Sequence, residues 1–333
     1  MLDERKAAIL RAVVKEYIET AQPVASGHVA RAGQLAVSPA TVRNEMAVLE
    51  REGYLVHPHT SAGRIPTDKG YRFYVDHLRT PPGPLAPAQK RRVEEHFARA
   101  HGELERLLHD TGRLLSDLTD CAAMVTAPGH VAATLRSVQL VALGPRVVLA
   151  VAVLSDGAVV KETLELDLEV TDARVAAASA HLAAHLTGSP LANHSDVPST
   201  GDDVTDGMVA QARRALADAA HTEPEQVYIG GASRMASTFE AIHTVREVLS
   251  ILEQQYVVVS LLQDALRHDK LVSIGAEHGV EPLAECSVVV APYETGTSPA
   301  TVGVLGPTRM NYPQAMAAVA VVSERLSQRL QEG

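Results

Sequence analysis

The chain has no tryptophan, three phenylalanines and only 3% aromatic residues in all. Its core must therefore be assembled from Leu, Val, Ile and Ala. Cysteine is almost absent. Cys121 and Cys286 are the whole supply, and their spacing matches no metal or redox motif. A disulfide framework is excluded, and a reducing cytoplasm is the expected setting. Long apolar runs are missing too: Val147 to Leu154 falls far short of the roughly 20 residues a membrane helix needs. The opening MLDERKAAIL is charged from its third residue, unlike a secretory signal. No membrane partner is expected.

Net positive charge is also lacking. Thirty Lys+Arg face 40 Asp+Glu, a balance of −10 that on average argues against nucleic acid. The average hides an asymmetry. Residues 1–80 hold 11 Lys+Arg and 9 Asp+Glu, whereas the remainder holds 19 against 31. The acid thus lies away from the N-terminal end, where it least opposes the approach of phosphates. Catalytic motifs are absent: there is no GxSxG, phosphate loop or dinucleotide fingerprint. His181 and His185 stand four apart in HLAAH, but without the Glu that a zinc protease needs. No catalytic residue, metal or cofactor is expected.

What is present begins with a helix, helix, turn, helix, hairpin, helix pattern in residues 1–80. Leu10, Val13, Val14 and Tyr17 form the first apolar stripe, ended near Gln22-Pro23. A short helix runs from Ser26 to a stop at Gly33, followed by the turn Gln34 to Val37. Ser38 is read as the cap of a third helix, with Pro39 in its first turn, where the missing N–H is harmless. On that helix Val42, Met46 and Leu49 share one face, as an element locked into a core requires. Ala40, Asn44, Ala47 and Arg51 share the other, flanked by Thr41 and Arg43. Arg and Asn make bidentate pairs with guanine and adenine in the major groove, which admits such a helix. The hairpin after it, from His57 to Thr67, offers His59, Thr60, Ser61 and Arg64, chemistry suited to phosphates and the minor groove. His57 and His59 could also be read as metal ligands, but no third ligand lies nearby.

Thr80 to Pro87 is proline-rich and reads as part of a stiff linker over 81–90. Beyond it, Val93, Phe97, Ala100, Leu104, Leu107, Thr111, Leu114 and Leu118 recur by four and three, interrupted by Gly102 and Gly112. Packing within its own domain is the expectation, with a coiled-coil dimer seam as the alternative. Strand patterns at 135–143, 147–154 and 159–166 form a meander. Helical patterns follow near 171–187, 203–219, 239–253 and 256–267, with a short strand at 227–229. Strands return at 271–274, 287–291 and 300–305 before a last helix from about Pro313 to Leu330. Strands, helices, then strands suggest one α+β domain with a helical insertion. The Gly/Thr-rich run from Glu294 to Thr301 could line a pocket, although a hairpin loop is favoured.

Three stretches carry a resemblance. They are Ser38 to Met46 with Leu49-Glu50, Gly53-Tyr54-Leu55 and Pro58 to Asp76; Gly230-Gly231-Ala232-Ser233; and Gly306 to Tyr312. Together they resemble the HrcA family of heat-inducible repressors along the whole chain. Pro23 to Gly27 departs from it, because the family usually has a basic residue where Gly27 stands. The resemblance implies a winged helix-turn-helix at 1–80, a GAF-like antiparallel-sheet domain at 91–167 and 267–333, and an inserted dimerising domain at 168–266. It further implies a homodimer that represses chaperone operons at an inverted-repeat DNA operator, with activity dependent on the chaperonin. The rivals are a metabolite-responsive regulator with a ligand in the GAF-like domain and an enzyme with a DNA-binding appendage; the N-terminal motif disfavours the latter.

Overall fold

The computed structural model describes residues 2–32, 37–58, 63–78, 83–99, 104–127, 133–155, 157–191, 197–222, 226–236, 239, 241–267, 271–294 and 299–332. The chain opens with α1 (Glu4–Thr20), α2 (Ser26–Ala32) and α3 (Pro39–Arg51), then β1 (Leu55–Val56), β2 (Ile65–Pro66) and α4 (Asp68–Asp76). Asp3 starts α1 by accepting from the Lys6 N–H at 2.8 Å, and Leu10, Val13 and Val14 of its stripe are fully buried. β1 and β2 form an antiparallel pair, Leu55 opposite Pro66 and Val56 opposite Ile65. Val24 adds a third edge, exchanging both backbone hydrogen bonds with Arg64 at 2.9 and 3.0 Å.

Helix α5 (Pro87–Arg99) begins inside the expected linker, because a proline is at no disadvantage in a first helical turn. It is followed by α6 (Leu104–Thr119). Val93, Phe97, Leu104, Thr111, Leu114 and Leu118 are all buried inside the chain, so the heptad-like stripe serves internal packing. Ala100 and Gly102 lie outside the described residues.

The remaining elements are β3 (Ala122–Thr126), β4 (Leu135–Gly144), β5 (Val147–Leu154), β6 (Val159–Glu165), α7 (Asp172–Leu186), α8 (Asp203–Thr222), β7 (Val227–Gly230), α9 (Ala232–Ala236), α10 (Ile242–Glu253), α11 (Gln255–Arg267), β8 (Val272–Ile274), β9 (Cys286–Glu294), β10 (Pro299–Pro307) and α12 (Tyr312–Glu332). Two short 3₁₀ turns, Gly275–His278 and Glu281–Leu283, lie between β8 and β9. β9 and β10 are neighbours in register, Glu294 opposite Pro299, so the favoured hairpin joins them; residues 295–298 lie outside the described set.

Mixed helix and antiparallel sheet make this an α+β fold, but the strands do not share one sheet. β7-β3-β10-β9-β8 form a five-stranded sheet, and β4-β5-β6 form a separate one of three strands. Alternate residues of the larger sheet enter two cores. Ala123, Val125, Val289, Val302 and Val304 face one, with Leu115, Tyr312 and Val322. Ala122, Met124, Val288, Val290 and Leu305 face the other, with Val248, Leu252, Val258 and Leu262 of α10 and α11. The first core does not stop at the N-terminal elements: Leu10, Val42, Met46, Leu49 and Tyr71 belong to it.

The smaller sheet has its own core. Val138, Leu140, Val148, Ala150 and Leu164 pack there with Val175, Leu182, Met208 and Leu216 of α7 and α8. The chain leaves the larger sheet after Ala127 and returns at Gln226, and these two residues are hydrogen-bonded, N–H to carbonyl, at 2.7 Å. The separate core therefore does not coincide with the expected insertion at 168–266. The meander at 135–165 belongs to it and not with β9 and β10, while α10 and α11 cover the five-stranded sheet. Strand pairing caused the shift. Alternating burial marks β4 to β6 as strands without saying which other strands they join.

Candidate nucleic-acid interface

α3 is built to present one face. Ser38 caps it, its Oγ accepting from the Thr41 N–H at 3.2 Å and lying 3.0 Å from the Thr41 hydroxyl. Val42, Met46 and Leu49 are fully buried and fasten the helix to α1 and α2. Ala40, Arg43, Asn44 and Arg51 are exposed, and Thr41 and Ala47 are half-buried beside them. The expected reading face is thus assembled on one surface: a small residue near the N-terminus, then a guanidinium, a carboxamide and a second guanidinium. α2 contributes exposed His28 and Arg31. Sequence reasoning passed over this pair, although both lie in the helix that precedes the turn.

The hairpin divides differently. His59, Thr60 and Ser61 lie outside the described residues. Arg64 is not a free cation at a tip. Its Nε donates to Glu50 Oε2 at 2.8 Å, its side chain is 17% exposed, and its backbone is bridged to Val24. Arg64 therefore ties the hairpin to α3 and to the α1–α2 connection. Glu50 entered the sequence reading only through the resemblance, because a carboxylate on a helix carries no signal of an ion pair until its partner is placed.

Two further contacts run outward from α4. On one side, Thr67 donates to the Gly53 carbonyl at 2.7 Å and Lys69 Nζ to the Glu52 carbonyl at 2.8 Å, both just past the end of α3. On the other, Arg72 and Asp68 meet the segment 272–277.

The other singled-out residues have structural places. Gly230 meets α6, where a Cβ would stand 2.6 Å from the Gly112 carbonyl carbon. The Tyr312 hydroxyl donates to the Thr308 carbonyl at 2.7 Å and lies 2.8 Å from the Ser287 hydroxyl. The His181 ring is 2.6 Å from the Pro198 carbonyl, and His185 is 2.9 Å from the His181 carbonyl. Among the described residues no group of three or more His, Cys, Asp or Glu could hold a metal. Cys121 and Cys286 are buried, one in each core that flanks the larger sheet, and burial pushes both thiols up to about 12.

A family model described as the HrcA protein C-terminal domain matches residues 105–316. A heat-inducible transcription repressor HrcA from Pseudarthrobacter chlorophenolicus is 39% identical over 99% of this chain and 99% of its own length. One of the same description from Symbiobacterium thermophilum is 36% identical over 98% of each. The chain belongs to the HrcA family of heat-inducible transcription repressors. The crystal structure of a hypothetical protein, 23% identical, matches this HrcA-family chain with a TM-score of 0.68, covering 100% of it and 99% of that protein, which shows a common fold. No helix among its described residues is long and apolar enough to cross a membrane.

Proposed function

We propose that this HrcA-family repressor acts in the cytoplasm as a homodimer on an inverted-repeat operator before chaperone genes, reading each half-site with α3 of a winged helix-turn-helix. The observation that carries the reading is the exposed Ala40, Arg43, Asn44 and Arg51 face on a helix whose other face is fully buried. Arg43, Asn44 and Arg51 meet base edges, and Ala40 lets the helix approach closely. Ser38 and Thr41, together with His59, Thr60 and Ser61 of the hairpin, serve the phosphates. Arg31 and His28 face the backbone of the same half-site. The remaining body is GAF-like, interrupted by an inserted unit at 128–225.

The outer face of the three-stranded sheet supports dimerisation through that unit. Its inner face is covered by α7 and α8. Outside, Val141, Leu143 and Val159 are exposed; on the central strand Leu149 stands opposite Val141 and Val153 opposite Val159. Lys161 and Glu165 stand on the same face of β6, so a two-fold copy meets charges of opposite sign.

Chaperonin dependence is supported by topology. Residues 122–125 of β3 pair with 302–305 of β10 across nearly the whole body. Such distant pairing forms late and leaves sheet edges exposed meanwhile. Heat-damaged proteins that occupy the chaperonin then lower the active fraction of repressor.

The experiment is a titration of purified protein against an inverted repeat from upstream of the chaperonin genes, with and without chaperonin and ATP. Two protomers per repeat, protection of both half-sites and a rise in active fraction are expected. One protomer per site, or protection unrelated to the repeat, overturns the reading.

A further inference from the structure

α4 stands between α3 and the body and is bonded to both. Towards α3 it holds the Gly53 and Glu52 carbonyls through Thr67 and Lys69. Towards the body, Arg72 Nε donates to Glu277 Oε1 at 2.9 Å and Arg72 Nη2 donates to Glu277 Oε2 and, at 2.8 Å, to the Val272 carbonyl. The Ala276 N–H donates to Asp68 Oδ2 at 3.3 Å. Glu277 is itself fixed, accepting from the Ile274 N–H at 3.1 Å. Gly275, between these partners, has φ +54°, and a Cβ there would overlap the Asp68 carboxylate. The apolar side of α4 is equally engaged: Tyr71 is 3% exposed, with its ring 6.0 Å from that of Tyr312.

A helix that only needed stability would be served by the apolar contact alone. A bidentate guanidinium–carboxylate pair adds direction, because its planar geometry admits one orientation. Here the contacts run from Glu277 and Val272, through Arg72 and Asp68, to Thr67 and Lys69, and so to the residues just past the end of α3. We infer that Arg72, Asp68 and Glu277 are positioning residues which fix α3 relative to the body, so that a dimer accepts half-sites at one separation only. The inference rests on the proposed reading of α3 and of the dimer.

The test uses the full-length protein and a series of operators whose half-sites are separated by the native spacer, by one or two base pairs more or fewer, or by half a helical turn more. An operator with a single half-site completes the set. The variants are Glu277→Gln, which keeps the size but replaces one of the two acceptor oxygens with a donor amide and so breaks the bidentate pair, and Arg72→Met, which keeps most of the packing. The wild type is expected to lose about tenfold or more in affinity when the spacer changes, since a rigid pair cannot engage both halves. Both variants are expected to bind the single half-site as the wild type does while their loss on changed spacers shrinks to about threefold. A merely structural role would lower the thermal midpoint and the active fraction equally for all operators and leave spacer discrimination intact; that result overturns the inference. Wild-type protein that binds no inverted repeat at any spacing would sink the proposed function first, and the inference with it.

Discussion

Arg43 projects from α3 into solvent, whereas Arg64 donates to Glu50 with its side chain 17% exposed. Substituting them should therefore give opposite phenotypes. Arg43→Ala is expected to leave the urea midpoint unchanged and to cost about 1–3 kcal/mol of discrimination at one base pair. Arg64→Ala is expected to cost about 1.5–3 kcal/mol of stability, because a hydrogen bond between charged partners is lost and Glu50 is left alone. Urea denaturation alongside binding to a panel of single-base operator variants separates the two; equal stability losses would refute the distinction. His278 adds a pH signature. Burial holds its pKa below the ordinary value, against the opposing pull of its backbone carbonyl contacts and of Asp68 and Glu277. The neutral ring suits its site: Nε2 is 3.0 Å from the Leu283 carbonyl and Nδ1 accepts from the Val280 N–H at 3.3 Å. A depressed histidine pKa means that the unfolded chain takes up its proton first. The contribution of His278 is then complete above a pH of about 6.5 and is lost as pH falls below it. The slope of stability against pH in that window should flatten in His278→Gln, and an unchanged slope counts against the assignment.

At the scale of elements, α6 and β7 cross where two glycines meet. A Cβ on Gly112 would find its nearest neighbour, Gly230 N, at an ordinary 3.6 Å, whereas one on Gly230 would stand 2.6 Å from the α6 backbone. Gly112→Ala should therefore be neutral or raise stability by up to about 1 kcal/mol, as expected for removing a glycine from a helix. Gly230→Ala must push α6 off the sheet and should lower the thermal midpoint markedly; the reverse order would contradict this packing. Interrupted periodicity could not reveal that asymmetry, since it depends on which element crosses which. The same limit explains what else was illegible. The stripes of α1 and α3, and the apolar runs and turns that mark β4, β5 and β6, are local patterns and could be read directly. β3 has every residue buried, so Ala122–Thr126 shows no alternation and escaped notice. The α3 face was legible because it needs only the helical repeat, but the burial of Arg64 needs a partner from another element.

At the scale of the molecule, two of the three cores of the described residues flank the larger sheet and the third belongs to the smaller one. Because Ala127 and Gln226 are hydrogen-bonded neighbours, replacing 128–225 with a short turn should leave the larger sheet folded. The product is expected to be monomeric by light scattering and to bind an inverted repeat no more tightly than a single half-site. A deletion that stays dimeric would move the subunit contact elsewhere. Val141→Asp with Leu143→Glu should give the same monomer without shortening the chain, since both side chains are exposed on the outer sheet face. The boundary of this unit was illegible because closure between 127 and 226 leaves no local mark. The two thiols supply a consequence of another kind. Cys121 and Cys286 lie in the cores on opposite faces of the five-stranded sheet, both thiols pushed up to about 12 by burial. Neither should react with an alkylating reagent until its own layer parts from the sheet, because the thiolate is the reactive form. A heat-responsive protein thus carries two internal stopwatches: the order in which peptides containing residues 121 and 286 become alkylated during a temperature ramp dates the opening of each face separately.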